Sequence, residues 1–209
     1  MSKLPSRLLA LFILLIMPLI FFFYFKNKID KIPEKAATID TFWAAPAFAY
    51  ATHYGDTLSS DLLKGNVYVA DFIFTSCQTV CPNLSETMAQ LQQNFEDNGM
   101  FRLVSFTIDP LRDSLPVLKE YADRYGARSN KWYFLRGDTA TIWNTIERGY
   151  KVSVGYQPDS AGGYSFAHTE KLVLVDGNGM VRGFYNGLDK AEVDSLYQDV
   201  GLLLASAAQ

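Results

Sequence analysis

Between residues 66 and 95 the apolar pattern changes period once, and the change falls on the two cysteines of the chain. Residues 66–74, NVYVADFIF, are rich in β-branched and aromatic side chains and read as a buried strand. From Pro82 onward Leu84, Met88, Leu91 and Phe95 recur on one helical stripe. Cys77 stands at the exit of the strand and Cys81 directly before Pro82. Proline pushes the preceding residue out of the α region and is itself welcome at the first helical position. The helix is therefore expected to start at Pro82, with Cys81 at or next to its N-cap. A strand buried on both faces that passes straight into a helix belongs in an α/β layer.

The rest of the chain keeps to that rhythm. Residues 48–65 carry a turn signal at Gly55 and Asp56 and predict a short hairpin with a helical turn. Residues 100–109 predict a second core strand, and 114–126 a helix with Ser114 as its N-cap and Gly126 as its stop. Residues 131–137 and 139–150 predict a third strand and helix. A loop with Gly155, Pro158, Gly162 and Gly163 then fills 151–167. Residues 170–187 alternate as a hairpin turning at Asp176 to Gly179, and 190–205 close the chain as a helix. Strand and helix in alternation require parallel crossovers, with helices covering a central mixed sheet. A thioredoxin-like α/β fold meets this economically, and its diagnostic is a cysteine pair where the first core strand hands over to a helix. Phe72, Phe74, Trp132 and Trp143 are read as core packing.

The N-terminus is of another kind. Residues 8–25 are 18 uncharged, almost wholly apolar positions, enough to span a hydrocarbon core as a helix. The run ends in FFFYFKNK rather than in small residues at a cleavage site, which points to an uncleaved anchor. Pro18 is compatible with a membrane helix. The expected organisation is an N-terminal tip and anchor over 1–25, a tether over 26–45 and one domain over 46–209. Lys3 and Arg7 precede the run while Lys26, Lys28 and Lys31 follow it, so the basic flanks do not set its orientation. Residues 1–31 carry five basic and one acidic side chain, so the net −3 of the chain leaves −7 on the remainder. An acidic domain disfavours nucleic acid as a partner and suits a cationic partner or a metal ion.

Cys77 and Cys81 can serve as a structural staple, a redox couple or metal ligands. The positive end of the helix is expected to favour the Cys81 thiolate. Reduced, the pair is a soft two-sulfur claw that suits Cu(I), with zinc as a competitor. Of the two histidines, His168 is the better third ligand, because the junction before the last hairpin faces the cysteine loop in a thioredoxin-like sheet. His53 is expected at the surface of the first hairpin. Asp109, before Pro110, is either a turn former or an outer carboxylate near the site. Asp71 is either a polar residue at a sheet edge or a buried carboxylate with a raised pKa.

FIFTSCQTVCP, SFTIDPLRDSLPVLKEYADRYG, WYFLRG and FAHTEKLVLVDGNGMVRGFYNG, in this order, resemble the SCO/SenC family over about residues 46–205. Its members are membrane-anchored, thioredoxin-like proteins that help deliver copper to the CuA centre of cytochrome c oxidase. The resemblance implies that Cys77, Cys81 and His168 are copper ligands. It also implies a single-pass anchor in the inner membrane, with the N-terminus cytoplasmic and the domain periplasmic. Gln78 and Thr79 depart from the proline and aspartate common in the family's loop. Some members are better described as thiol-disulfide reductases, so a membrane-tethered oxidoreductase using Cys77 and Cys81 as its redox couple is the alternative.

Overall fold

The computed structural model describes residues 6–31, 38–158, 164–166 and 169–207. Helix α1 (Ser6–Asp30) contains Pro18, and its side chains from Leu14 to Phe25 are exposed. Among the described residues, which leave out the side chains before Leu14, no helix is long and apolar enough to cross a membrane.

The domain is built on seven strands: β1 (Ala49–Thr52), β2 (Thr57–Ser59), β3 (Val67–Ile73), β4 (Phe101–Thr107), β5 (Trp132–Arg136), β8 (Lys171–Val175) and β9 (Val181–Asn186). Their order is β2-β1-β5-β4-β3-β8-β9. β3, β4 and β5 are parallel neighbours, while β1 and β8 pair antiparallel on either side of them. Hairpins thus close both edges of a parallel centre, the mixed sheet expected from the alternation.

The central strand β3 buries all seven of its residues, because helical segments cover both faces of the sheet there. On the first face lie α2 (Val80–Asn94), α3 (Leu115–Arg124) and α5 (Lys190–Ala207). Their apolar stripes supply Leu84, Met88, Leu91, Leu118, Leu196 and Val200, all fully buried. Each such side chain contributes roughly 1.5–3 kcal/mol. The other face is covered by α4 (Thr139–Asn144), which runs on as a π-helical turn over Thr145–Tyr150 and stops at left-handed Lys151.

Three features differ from the sequence expectations. Helix α2 begins at Val80 with Thr79 as its N-cap, so Pro82 is the third helical residue and Cys81 the second. First-turn N–H groups have no intrahelical acceptor, and a proline there costs the helix no bond. Residues 39–45, within the expected tether, run along β9: Phe42 N–H donates to Val181 O at 2.9 Å and Val181 N–H to Trp43 O at 2.8 Å. The expected loop 151–167 contains two short antiparallel strands, β6 (Tyr156–Pro158) and β7 (Tyr164–Phe166).

Candidate functional site

The cysteine loop is the exit of β3. Ile73 makes the last rung toward β4, accepting the Ile108 N–H at 2.8 Å, and the chain then turns as Cys77 N–H donates to Phe74 O at 3.2 Å. Three residues later α2 starts, and the Cys81 N–H donates to Cys77 Sγ at 3.3 Å. Both side chains are nearly covered, at 6% and 3% exposure, and no disulfide joins them.

This geometry divides the pair unequally. Cys77 is drawn well below the usual thiol range, first by the Cys81 thiol donating to it and then by the N–H groups of Cys81, Thr79 and Val80, against the effect of burial. Cys81 is pushed up because it keeps the shared proton and is buried. The two thiols titrate as one unit whose first proton leaves Cys77. The helix start therefore stabilises a thiolate on Cys77, whereas Cys81 was expected to benefit. Once the helix begins at Val80, its open N–H groups point back at the preceding sulfur rather than at their own residue.

Asp71 lies in the middle of β3, opposite Ser105 of β4, and is fully buried, which excludes an edge position. Burial raises its carboxyl to about 7, the Ser105 hydroxyl offsetting only part of the effect. Among the described residues Ser105 is near enough to act on the carboxyl, but neither oxygen makes a hydrogen bond of good geometry. Its charge also helps to raise Cys81, so the two groups sense each other between α2 and the sheet.

Asp109 takes the turn-forming part. Its carbonyl accepts the N–H groups of Arg112 and Asp113, and its carboxylate meets the Arg112 guanidinium at 3.3 Å. His53 corrects an expectation: it is 4% exposed rather than superficial. Its Nδ1 accepts the Phe134 N–H at 3.1 Å, and burial lowers it to about 4, so the ring is neutral. It finishes the pairing of the β1 hairpin with β5, on the far side of β4 from the cysteine strand.

His168 lies outside the described residues. The chain resumes at Thr169, and the Glu170 carbonyl accepts the Gly187 N–H at 2.7 Å. Gly187 O in turn accepts the Thr87 hydroxyl of α2 at 3.0 Å, so the start of β8 is tied to the helix that carries Cys81. Among the described residues no three of His, Cys, Asp and Glu are grouped as a metal site. Asp113, which sequence reasoning passed over, is fully buried beside the cysteine loop. Its only signal was a second aspartate four residues after Asp109 in IDPLRD.

A family model described as SCO1/SenC matches residues 37–201. The SCO1 protein homolog of Bacillus subtilis is 33% identical over 155 residues, which cover 73% of this chain and 79% of that one. The solved structure of BsSco, described as a member of the Sco family of cytochrome c oxidase assembly proteins with a disulfide switch, matches with a TM-score of 0.69. That match has 31% identity and covers 81% of this chain and 98% of the other. Yeast Sco1 with copper bound shares the fold, with a TM-score of 0.62 at 22% identity over 77% of this chain and 90% of that one.

Proposed function

From the premise that the chain belongs to the SCO1/SenC family, we propose that it is a membrane-tethered copper-binding protein of cytochrome c oxidase assembly. In this reading Cys77, Cys81 and His168 hold one copper ion and hand it to the oxidase subunit that houses the CuA centre. The observation that carries the reading is the loop itself: two sulfurs brought together at a helix start, with the Cys81 N–H already on Cys77 Sγ at 3.3 Å. Two buried thiols are soft donors that suit Cu(I), and one imidazole would complete a three-coordinate site. His168 is proposed as that imidazole on the family resemblance, and in sequence it directly precedes Thr169 and Glu170, whose carbonyl accepts the Gly187 N–H.

The protein's part in transfer is to hold and release. Cys77 offers a thiolate at neutral pH, and the Cys81 thiol gives up its proton as the metal is taken. The acceptor's own thiols then displace the ligands one at a time. In this reading the exposed apolar side chains of helix α1 support an anchor in the inner membrane, and the family resemblance is what assigns the domain to the periplasm. Tethering raises the effective concentration toward a membrane-bound acceptor.

A second reading rests on the unequal proton sharing of the cysteines. The Cys77 thiolate attacks a partner disulfide and forms a mixed disulfide, expelling one partner thiolate. Cys81 then loses its proton and attacks Cys77 Sγ, expelling the second partner thiolate and leaving a Cys77–Cys81 disulfide. The partner gains two electrons and the Cys81 proton. The test is His168→Ala in cells depleted of the native protein. Loss of CuA assembly, with disulfide exchange by the purified variant unchanged, supports copper delivery. Normal CuA assembly in the variant contradicts it.

A further inference from the structure

When β3 and β4 part company, one half-buried donor is left over. Ile108 N–H to Ile73 O is the last rung, after which Pro110 and the turn at Asp109 carry the β4 chain away. The next donor on the β3 side, the Thr75 N–H, thereby loses its sheet acceptor. A backbone donor that leaves the sheet ladder still needs a partner.

That partner is the carboxylate of Asp113, itself fully buried. It receives the Thr75 N–H at 3.2 and 3.3 Å on its two oxygens and the Thr75 hydroxyl at 2.5 Å on Oδ1. The Thr107 hydroxyl donates to Oδ2, and Thr107 Oγ1 in turn accepts the Asp109 N–H at 3.1 Å. The Asp113 N–H closes the turn on Asp109 O at 2.9 Å. Thr75 is separated from Cys77 by one residue. The carboxylate therefore clamps the point from which the cysteine loop departs. An amide fits this place poorly, since all three side-chain and backbone neighbours are donors and an amide nitrogen adds a fourth.

We propose that Asp113 is a positioning residue for the Cys77–Cys81 site: through Thr75 it holds the loop in the shape that points the α2 N–H groups at Cys77 Sγ. The proposal rests on the copper reading only for its metal arm. Outer groups that orient ligands typically change metal affinity by about 10- to 100-fold when lost.

The experiment compares the full chain with its Asp113→Asn and Thr75→Val variants in detergent and without air. Cu(I) affinity is read by competition with a chelator, Cys77 alkylation by rate at about pH 6, and folding by thermal unfolding. Asp113→Asn is expected to weaken Cu(I) about 10-fold or more and to slow Cys77 alkylation about 10-fold in protein that remains folded. Thr75→Val, which keeps the N–H and loses one donor, should show a smaller change of the same sign in both. Wild-type affinity and alkylation rate in folded Asp113→Asn, with only a lowered melting temperature, would overturn the proposal. If that variant does not fold, an unchanged Thr75→Val overturns it and a slowed Thr75→Val supports it. A wild type that binds no copper contradicts the copper reading instead, and the alkylation arm still decides the role of Asp113.

Discussion

Replacing Asp71 with asparagine should reverse part of the pH dependence of stability. The side chain is fully buried in the central strand and, among the described residues, makes no hydrogen bond of good geometry through either oxygen. Burial holds its carboxyl at about 7, against an ordinary value of 3.8. The folded state thus binds this proton more tightly than the unfolded chain does. Its contribution is complete below about pH 4, declines as pH rises and is lost above about pH 7. Each pH unit in that window is worth ~1.4 kcal/mol. Over the two units between pH 5 and 7 the wild type loses about 3 kcal/mol that a neutral amide does not lose. Any cost of burying the amide is independent of pH, so the decisive quantity is the change from pH 5 to pH 8 in each protein. Urea unfolding of wild type and Asp71→Asn at both values measures it. Stability differences of the same size in the two proteins would refute the account of Asp71 as a carboxyl held neutral by burial.

Iodoacetamide at mildly acidic pH should label Cys77 well before Cys81, because the Cys77 thiol is drawn down and Cys81 keeps its proton; equal labelling in a peptide map would contradict this division. Gly187→Ala should destabilise by ~1–3 kcal/mol, since its Cβ would overlap Leu84 Cδ2 and press on Leu172 Cδ1 at 3.0 Å where α2 approaches β8; an unchanged melting temperature would show that the contact yields freely. Arg182→Ala should release residues 39–45 from β9 and expose them to protease, because this guanidinium donates to Ile39 O, Asp40 O and Asp176, each at 2.8 Å. Cleavage no faster than in wild type would argue against that role.

The sheet and its helices were legible because period and residue type repeat over whole elements: the apolar run of 66–74 and the stripe from Leu84 to Phe95 each leave one structural solution. What escaped depends on single long-range partners. His53 looks like a polar residue in a short hairpin until the Phe134 N–H, 81 positions away, is found on its Nδ1. The thiolate falls on Cys77 rather than Cys81 because the Cys81 thiol donates to it and because two residues of helix before Pro82 turn the N–H groups toward Cys77. Asp113 gives no sign of its place until β4 turns away and leaves Thr75 without an acceptor. The motif pointed to the loop, while the hydrogen bonds that shape it could be read only from the fold.

The central claim is that Cys77, Cys81 and His168 form one copper site. Its most direct test is Cu(I) stoichiometry and affinity for the full reduced chain, by anaerobic chelator competition, alongside His168→Ala and the Cys77→Ser, Cys81→Ser double variant. The account predicts one tightly held Cu(I) per chain, binding weakened by the histidine change and abolished by the double serine change. A wild type without tight binding, or a His168→Ala variant that binds as tightly as wild type, would contradict it.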